Sequence, residues 1–245
     1  MNEIKLLDFD TRLFGFKVAM FMGKRLGGES SKRLIKECKD RGIRCCFAEL
    51  DINDFVTLNM SAKDGFVISD IRMTFEKDLC NYRLRDNKGL KGYVIDKVIM
   101  NRDLPYLEAL SGELSLTSRF EFDNNFPAGM AGRLYKTWMR NSIDKKTAGG
   151  MFIAREIKTR NPAGVITYKR YADYGKIVLF VVGQKHRRKG LGFRLLNRVS
   201  LCFKEAGIGK IRVVTESKNI PAQRLYEKNG FLTHSVSAFF HLWIK

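Results

Sequence analysis

Apolar and polar positions alternate with two different periods along this chain. Ile43–Leu50 and Ile177–Val182 are nearly unbroken apolar runs, the pattern of a strand buried on both faces. Phe66–Glu76 alternates every second residue, as a half-buried strand does. Leu34, Ile35 and Cys38 recur at helical spacing, as do Leu134, Trp138 and Met139, and again Phe193, Leu195, Leu196 and Val199.

Turn residues separate these segments into elements. Two short apolar stretches, Ile4–Phe9 and Phe14–Met22, predict a hairpin-like start. Ser30 or Ser31 caps a helix running to about Asp40. After the Ile43–Leu50 strand, Asp51 or Asn53 caps a helix to about Lys63, and Gly65 stops it. The polar stretch 78–91 marks a boundary, dividing a smaller domain, 1–80, from a larger one, 92–245, with 81–91 as linker. Beyond it, strands are expected at Tyr93–Ile99, Met151–Arg155, Gly164–Arg170, Ile177–Val182, Lys210–Thr215 and Leu232–Ile244. Helices are expected at Leu104–Leu114, Met130–Ile143, Gly190–Ala206 and Ile220–Lys228. The class is α/β. One unit recurs: helix, Lys63-Asp64-Gly65-Phe66, strand matches helix, Lys228-Asn229-Gly230-Phe231, strand, which points to a shared architecture in the two parts.

The chemistry concentrates where the Ile177–Val182 strand feeds a helix through Gly183–Gly192. First-turn N–H groups and the helix dipole make such a mouth an anion site. Gly190 and Gly192 lack a Cβ, so a phosphate approaches the backbone closely, and Arg187, Arg188 and Lys189 add positive charge. A Walker loop is absent, and the third glycine of a dinucleotide fingerprint is missing. Arg187-Arg188-Lys189-Gly190-Leu191-Gly192 instead resembles the Arg/Gln-x-x-Gly-x-Gly/Ala pyrophosphate loop of the GNAT superfamily of N-acetyltransferases. Further on, Asn219, Ala222, Tyr226, Gly230 and Phe231 resemble that superfamily's second signature, Asn-x-x-Ala-x-x-x-Tyr-x-x-x-Gly-Phe.

The resemblance implies a GNAT fold, a mixed central sheet flanked by helices, preceded by a truncated GNAT-like domain. It implies acetyl-CoA as co-substrate and no metal. Arg187, Arg188, Lys189, Gly190, Leu191 and Gly192 would then hold the pyrophosphate, and Asn219 would touch the CoA arm. A backbone N–H near Val182 would bind the thioester carbonyl oxygen. The pantetheine would enter where that strand splays from Lys210–Thr215. Tyr226 would be general acid toward the departing thiolate, a role that suits a phenol. The general base stays open among Asp173, Glu216, Glu121 and Asp123, or a water relay.

For the acceptor side, Ser118-Arg119-Phe120-x-x-Asp123-x-x-Phe126, the helix with Tyr135 and Trp138, and the early Leu13-Phe14-Gly15-Phe16 look like the bacterial dTDP-fucosamine N-acetyltransferase family. That family acetylates the 4-amino group of a dTDP-4-amino-4,6-dideoxyhexose for surface polysaccharide. Arg119 would pair with the nucleotide diphosphate, Phe120 or Phe126 would stack on a base or sugar, and Asp123 lies in the same pattern. Two other readings remain: acetylation of a protein lysine, an N-terminus or a polyamine, and a non-catalytic nucleic-acid or regulatory module.

Composition narrows these. The 245 residues carry 45 basic and 26 acidic side chains, a net charge of +19, which attracts polyanions such as CoA, nucleotide-sugars or nucleic acid. The basic residues are spread along the chain and not gathered in one tail, and charge by itself does not settle the partner; nucleic acid is not the one expected. No apolar run approaches the roughly 20 residues that span a bilayer, and no secretory signal is evident. Cys38, Cys45, Cys46, Cys80 and Cys202 are scattered, as for reduced thiols in the cytoplasm. Three histidines without a CxxC give no metal pattern. An exposed last strand would pair subunits into a homodimer.

Overall fold

The computed structural model of the chain describes residues 4–23, 25–82 and 90–244. Residues 83–89, within the expected linker 81–91, lie outside the described ones. The described residues gather into two compact units. One holds the chain up to Met73 together with Arg119–Met130 and the end from Ser235; the other holds Thr74–Ser118 and Ala131–His234.

In the first unit, β1 (Ile4–Leu6), α1 (Asp8–Phe14), β2 (Val18–Phe21), α2 (Glu29–Asp40), β3 (Cys45–Asp51) and α3 (Phe55–Lys63) follow in order. β4 (Val67–Asp78) begins there. The hairpin expected at the start is corrected in one respect. β1 and β2 do pair antiparallel, Ile4 opposite Phe21, but the short helix α1 connects them. β2 and β3 run parallel, Val18 opposite Cys45. Leu34 and Cys38 of α2 pack with Phe21, Cys46, Phe66 and Phe240 in this unit's core. The cap of α3 is Asp54, whose Oδ1 accepts the Thr57 N–H at 3.0 Å, and not Asp51 or Asn53. Asp51 instead bonds Asn53, whose N–H it accepts at 2.9 Å.

The second unit contains β5 (Tyr93–Asp96), α4 (Leu104–Ser115), α6 (Met130–Ile143), β6 (Gly150–Glu156), β7 (Pro162–Arg170) and β8 (Gly175–Val182). α7 (Leu191–Glu205), β9 (Lys210–Glu216) and α8 (Ile220–Lys228) complete it. The helix α5 (Arg119–Phe122) belongs to the first unit. β5 to β8 form an antiparallel run, and β9 joins β8 in parallel, so the sheet is mixed. Leu107 and Leu110 of α4 and Met139 of α6 bury one face of this sheet against Met151, Val165, Leu179 and Val181. α7 covers the other face. A Cβ on Gly175 would stand 2.4 Å from the Phe203 ring of α7, so only glycine fits at that start of β8.

Two expectations about strands change. β8 is not buried on both faces: Ile177, Leu179 and Val181 are buried, whereas Val178, Phe180 and Val182 are half-buried. The final strand, β10 (Leu232–Trp243), is not an exposed edge. Its Ser237–Trp243 stretch pairs antiparallel with Asp51–Cys45 of β3, and β4 lies on its other side. The ground for a strand-paired homodimer is thereby removed.

The repeated unit has the same local geometry twice. Gly65 and Gly230 both take positive φ, +90° and +80°. Phe66 N–H bonds Ser61 O at 3.0 Å, and Phe231 N–H bonds Tyr226 O at 3.1 Å. Each glycine ends a helix and returns an aromatic ring to a core, Phe66 at 2% and Phe231 at 1% exposure. Because Asp54 satisfies the start of α3, Asp54→Ala is expected to lower the urea unfolding midpoint, and Asn53→Ala to leave it close to the wild-type value.

Candidate active site

The residues expected at the site fall into two groups, one in each unit. In the second unit, β8 and β9 pair only at their starts. Gly175 stands opposite Ile211 and Lys176 opposite Arg212, and among the described residues no register continues beyond them. Ile177–Val182 thus runs on unpaired on that side, the parting expected from the sequence. β8 then leaves through Gly183 and a single 3₁₀ turn, Gln184–His186, into Arg187–Gly190 and the start of α7.

Gly190 is the N-cap of α7 and takes φ +81°, which a side chain would strain. No side chain caps this helix, and the first helical hydrogen bond is Arg194 N–H to Gly190 O at 3.1 Å. The N–H groups of Leu191, Gly192 and Phe193 therefore find no helical carbonyl. Beyond Gly190 the nearest atom to an added Cβ would be Leu90 Cδ2, at 3.6 Å. This bare mouth, flanked by Arg187, Arg188 and Lys189, sets unpaired N–H donors beside positive charge. Leu191 contributes backbone only, its side chain being 1% exposed. Gly192 has a different reason to be glycine: a Cβ there would meet Leu225 Cδ2 at 2.9 Å, so it seats α8 against α7.

Arg187 is already engaged. Its guanidinium donates to Glu113 Oε2 at 2.5 Å and, through Nε, to Val182 O at 2.9 Å. Glu113 Oε1 also accepts the Gln184 N–H at 3.2 Å. Lys189 Nζ donates to Tyr93 Oη at 3.1 Å, and that hydroxyl lies 3.0 Å from His186 Nδ1. Glu113 and Tyr93 escaped the sequence reading; neither belongs to a local motif.

Tyr226 sits on α8 with its ring among Phe75, Phe180 and Phe231, at centroid distances of 5.6, 6.3 and 5.8 Å. Phe180 of β8 is also within 3.6 Å of where a Gly192 Cβ would lie, so the helix mouth and the phenol share one neighbourhood. Burial, then the Glu216 carboxylate, raises the phenol's pKa, which keeps it a proton donor at neutral pH. The Asn219 side chain caps α8, accepting the Ala222 N–H at 3.4 Å.

The second group lies in the first unit. Asp123 Oδ2 accepts from His241 Nδ1 at 2.6 Å and from Trp243 Nε1 at 2.9 Å. Oδ1 accepts the Asn125 N–H at 3.0 Å and its Nδ2 at 2.9 Å. Burial alone would raise the Asp123 pKa, but these bonds hold it well below the usual carboxylate range, which makes it a poor base. Burial lowers the His241 pKa, against the upward pull of Asp123, and Arg119 adds to the lowering. Arg119 and Asp123 line a cavity of about 280 Å³ together with Ser69, His241 and Trp243. Phe120 and Phe126 do not offer stacking faces there. They are 4% and 5% exposed and pack on each other and on Phe14 and His241. Phe120 braces Arg119, whose guanidinium lies 4.3 Å from its ring centre, while Phe126 packs on His241 and Trp243. Nothing local in the sequence joins His241 and Trp243 to Asp123.

Among the described residues no cluster of metal-binding side chains occurs, and no helix is long and apolar enough to cross a membrane.

Residues 115–231 match the model of the acetyltransferase (GNAT) family. No curated protein matches the chain. Among solved structures, a GCN5-related N-acetyltransferase from Sphaerobacter thermophilus is similar, with TM-score 0.67 and 12% identity, over 99% of this chain and 76% of that one. A tandem GNAT protein from the clavulanic acid biosynthesis pathway aligns with TM-score 0.62 and 14% identity, over 93% of this chain and 75% of that one. A GCN5-related glucosamine N-acetyltransferase region of a fungal multi-domain β-N-acetylglucosaminidase aligns with TM-score 0.62 and 12% identity, over 98% of this chain and 30% of that one. At these identities the structures establish the fold. The family match over this part of the chain and the fold together support an N-acetyltransferase.

The buried pair has a pH signature. Both folded pKa values are depressed, so the stability they contribute is full above the unfolded values of about 6.5 and 3.9 and is lost as pH falls through the folded ones. Urea midpoints of the wild type are expected to drop below about pH 6.5. In His241→Gln, which costs about 1–2 kcal/mol at pH 7.5, the part of that drop above pH 5 is expected to shrink.

Proposed function

We propose that this chain transfers an acetyl group from acetyl-CoA to the amino group of a nucleotide-linked amino-deoxy sugar of the dTDP-4-amino-4,6-dideoxyhexose type, for surface polysaccharide biosynthesis. The observation that carries the acetyl-transfer part is the end of β8–β9 pairing after Lys176, beside a basic, uncapped helix mouth and a buried phenol. Acetyl-CoA would be held at Arg187–Gly192, its diphosphate on the N–H groups of the first turn and on the cationic side chains. Its arrival would trade the Arg187–Glu113 ion pair for a bond to phosphate.

The Val182 N–H, on the strand side left free by β9, would polarise the thioester carbonyl. The acceptor's uncharged amine attacks that carbon, the C–S bond breaks, and Tyr226 gives its phenolic proton to the departing thiolate. The proton lost by the amine would pass to water or to a carboxylate of the same unit, Asp173 or Glu216. Asn219 caps the helix that carries Tyr226 and borders the CoA arm.

The sugar part rests on the resemblance around Arg119, Phe120, Asp123 and Phe126. The likeness to a fold whose named activity is glucosamine N-acetylation agrees with it. Arg119 and Asp123 would meet the acceptor, while Phe120 and Phe126 support them from the core. The N-terminal residues 1–80 would be a truncated GNAT-like domain, as the repeated helix–Gly–Phe geometry supports.

The test is release of CoA thiol with a panel of amino-sugar nucleotides, polyamines and peptides. Turnover is expected with the dTDP-amino sugars. Release with only a peptide or polyamine would overturn the acceptor reading. Tyr226→Phe is expected to lower kcat about 10²-fold with little change in KM for acetyl-CoA. Arg187→Glu is expected to raise KM for acetyl-CoA about tenfold or more, and an unchanged value would remove the loop from the site.

A further inference from the structure

The loop into α7 carries Lys185-His186-Arg187-Arg188-Lys189 without a break. Two carboxylates lie against it: Glu113 pairs with Arg187, and Glu156 Oε1 is 3.8 Å from His186 Nδ1. Lys189 has a neutral partner instead. Its Nζ donates to Tyr93 Oη at 3.1 Å, which turns the phenol hydrogen toward His186 Nδ1 at 3.0 Å. The ammonium is thus held in place without its charge being cancelled, and among the described residues no carboxylate pairs with it. Water reaches all three side chains: Lys189 is exposed, and Tyr93 and His186 are half-buried.

The two sides of the helix mouth differ. Gly192 faces Leu225 and Phe180, the neighbourhood of Tyr226, where the thioester end would lie. Gly190 faces Leu90, whose carbonyl accepts the Tyr93 N–H at 3.2 Å. A diphosphate on the mouth, with its pantetheine arm toward Tyr226, would therefore send its nucleotide end toward Tyr93 and Lys189. In CoA that end bears a phosphomonoester on the ribose 3′ oxygen. We propose that Lys189 seats this phosphate, with Tyr93 as the positioning residue that aims the ammonium and His186 orienting the phenol. The ammonium has three N–H donors, so it can keep Tyr93 while it bonds phosphate oxygens. The chain would then select CoA over a carrier with the diphosphate alone. This deepens the acetyl-CoA reading above and rests on it for the choice of carrier.

The test is calorimetric titration with CoA, 3′-dephospho-CoA and pantetheine, without acceptor or turnover. CoA is expected to bind the wild type about tenfold more tightly than 3′-dephospho-CoA. Lys189→Gln is expected to bring that ratio close to one. Tyr93→Phe is expected to lower it about threefold, and to change nothing further when added to Lys189→Gln. Each ratio is taken within one variant, so a smaller folded fraction does not alter it. A wild-type ratio near one, or a full ratio kept by Lys189→Gln, would overturn the seat; a full ratio kept by Tyr93→Phe would overturn the positioning role. The diphosphate reading is judged apart, by 3′-dephospho-CoA against pantetheine. If those two bind alike while CoA binds more tightly, the helix mouth is the wrong site for the diphosphate and the Lys189 seat stands.

Discussion

The second unit depends on two parallel strands that pair at Gly175–Ile211 and Lys176–Arg212 and then part. A strand that loses its partner must find something else for its backbone donors and acceptors. Here the unpaired side of β8 ends at Val182, whose carbonyl is taken by Arg187 Nε. The parting also explains why Phe180 and Val182 are half-buried in a sequence that reads as fully apolar. Their face looks toward α7 and α8, where Gly192 and Leu225 bring the helices together. One break in a ladder thereby positions a bare helix mouth, a strand end and a phenol.

Charge is managed locally at that mouth. Glu113 neutralises Arg187 and ties down the Gln184 N–H, while Tyr93 holds Lys189. Like charges crowded on one loop repel, so these partners shape the loop before any anion arrives. The Arg187–Glu113 pair is exposed enough for water to weaken it, so a phosphate, if bound there, would displace it at little cost. The first unit handles charge in the opposite way. Asp123 is bound by His241, Trp243 and Asn125 and walled by phenyl rings, so its carboxylate is fixed and not free to act as a base.

What was legible in the sequence is what local spacing encodes. The Arg187–Gly192 loop, the Asn219-to-Phe231 pattern and the helical face of Leu134, Trp138 and Met139 are each set within a few turns of chain. Seven-residue α1 and four-residue α5 are too short to show a period, and both were missed. The cap of α3 was misplaced because Asp51, Asn53 and Asp54 are all good cap residues, and only geometry selects among them. Contacts such as His241–Asp123 and Arg187–Glu113 join residues 118 and 74 positions apart, and no periodicity reports on them. The pairing of β10 with β3 is of the same kind, and with it went the expected exposed edge.

The most direct test of the account follows the backbone amides of Gly190, Leu191, Gly192 and Phe193 by NMR while CoA or pantetheine is added. If the helix mouth grips the diphosphate, CoA shifts these amides saturably and pantetheine, which lacks it, leaves them in place. Shifts of equal size from pantetheine, or none from CoA, would contradict the account.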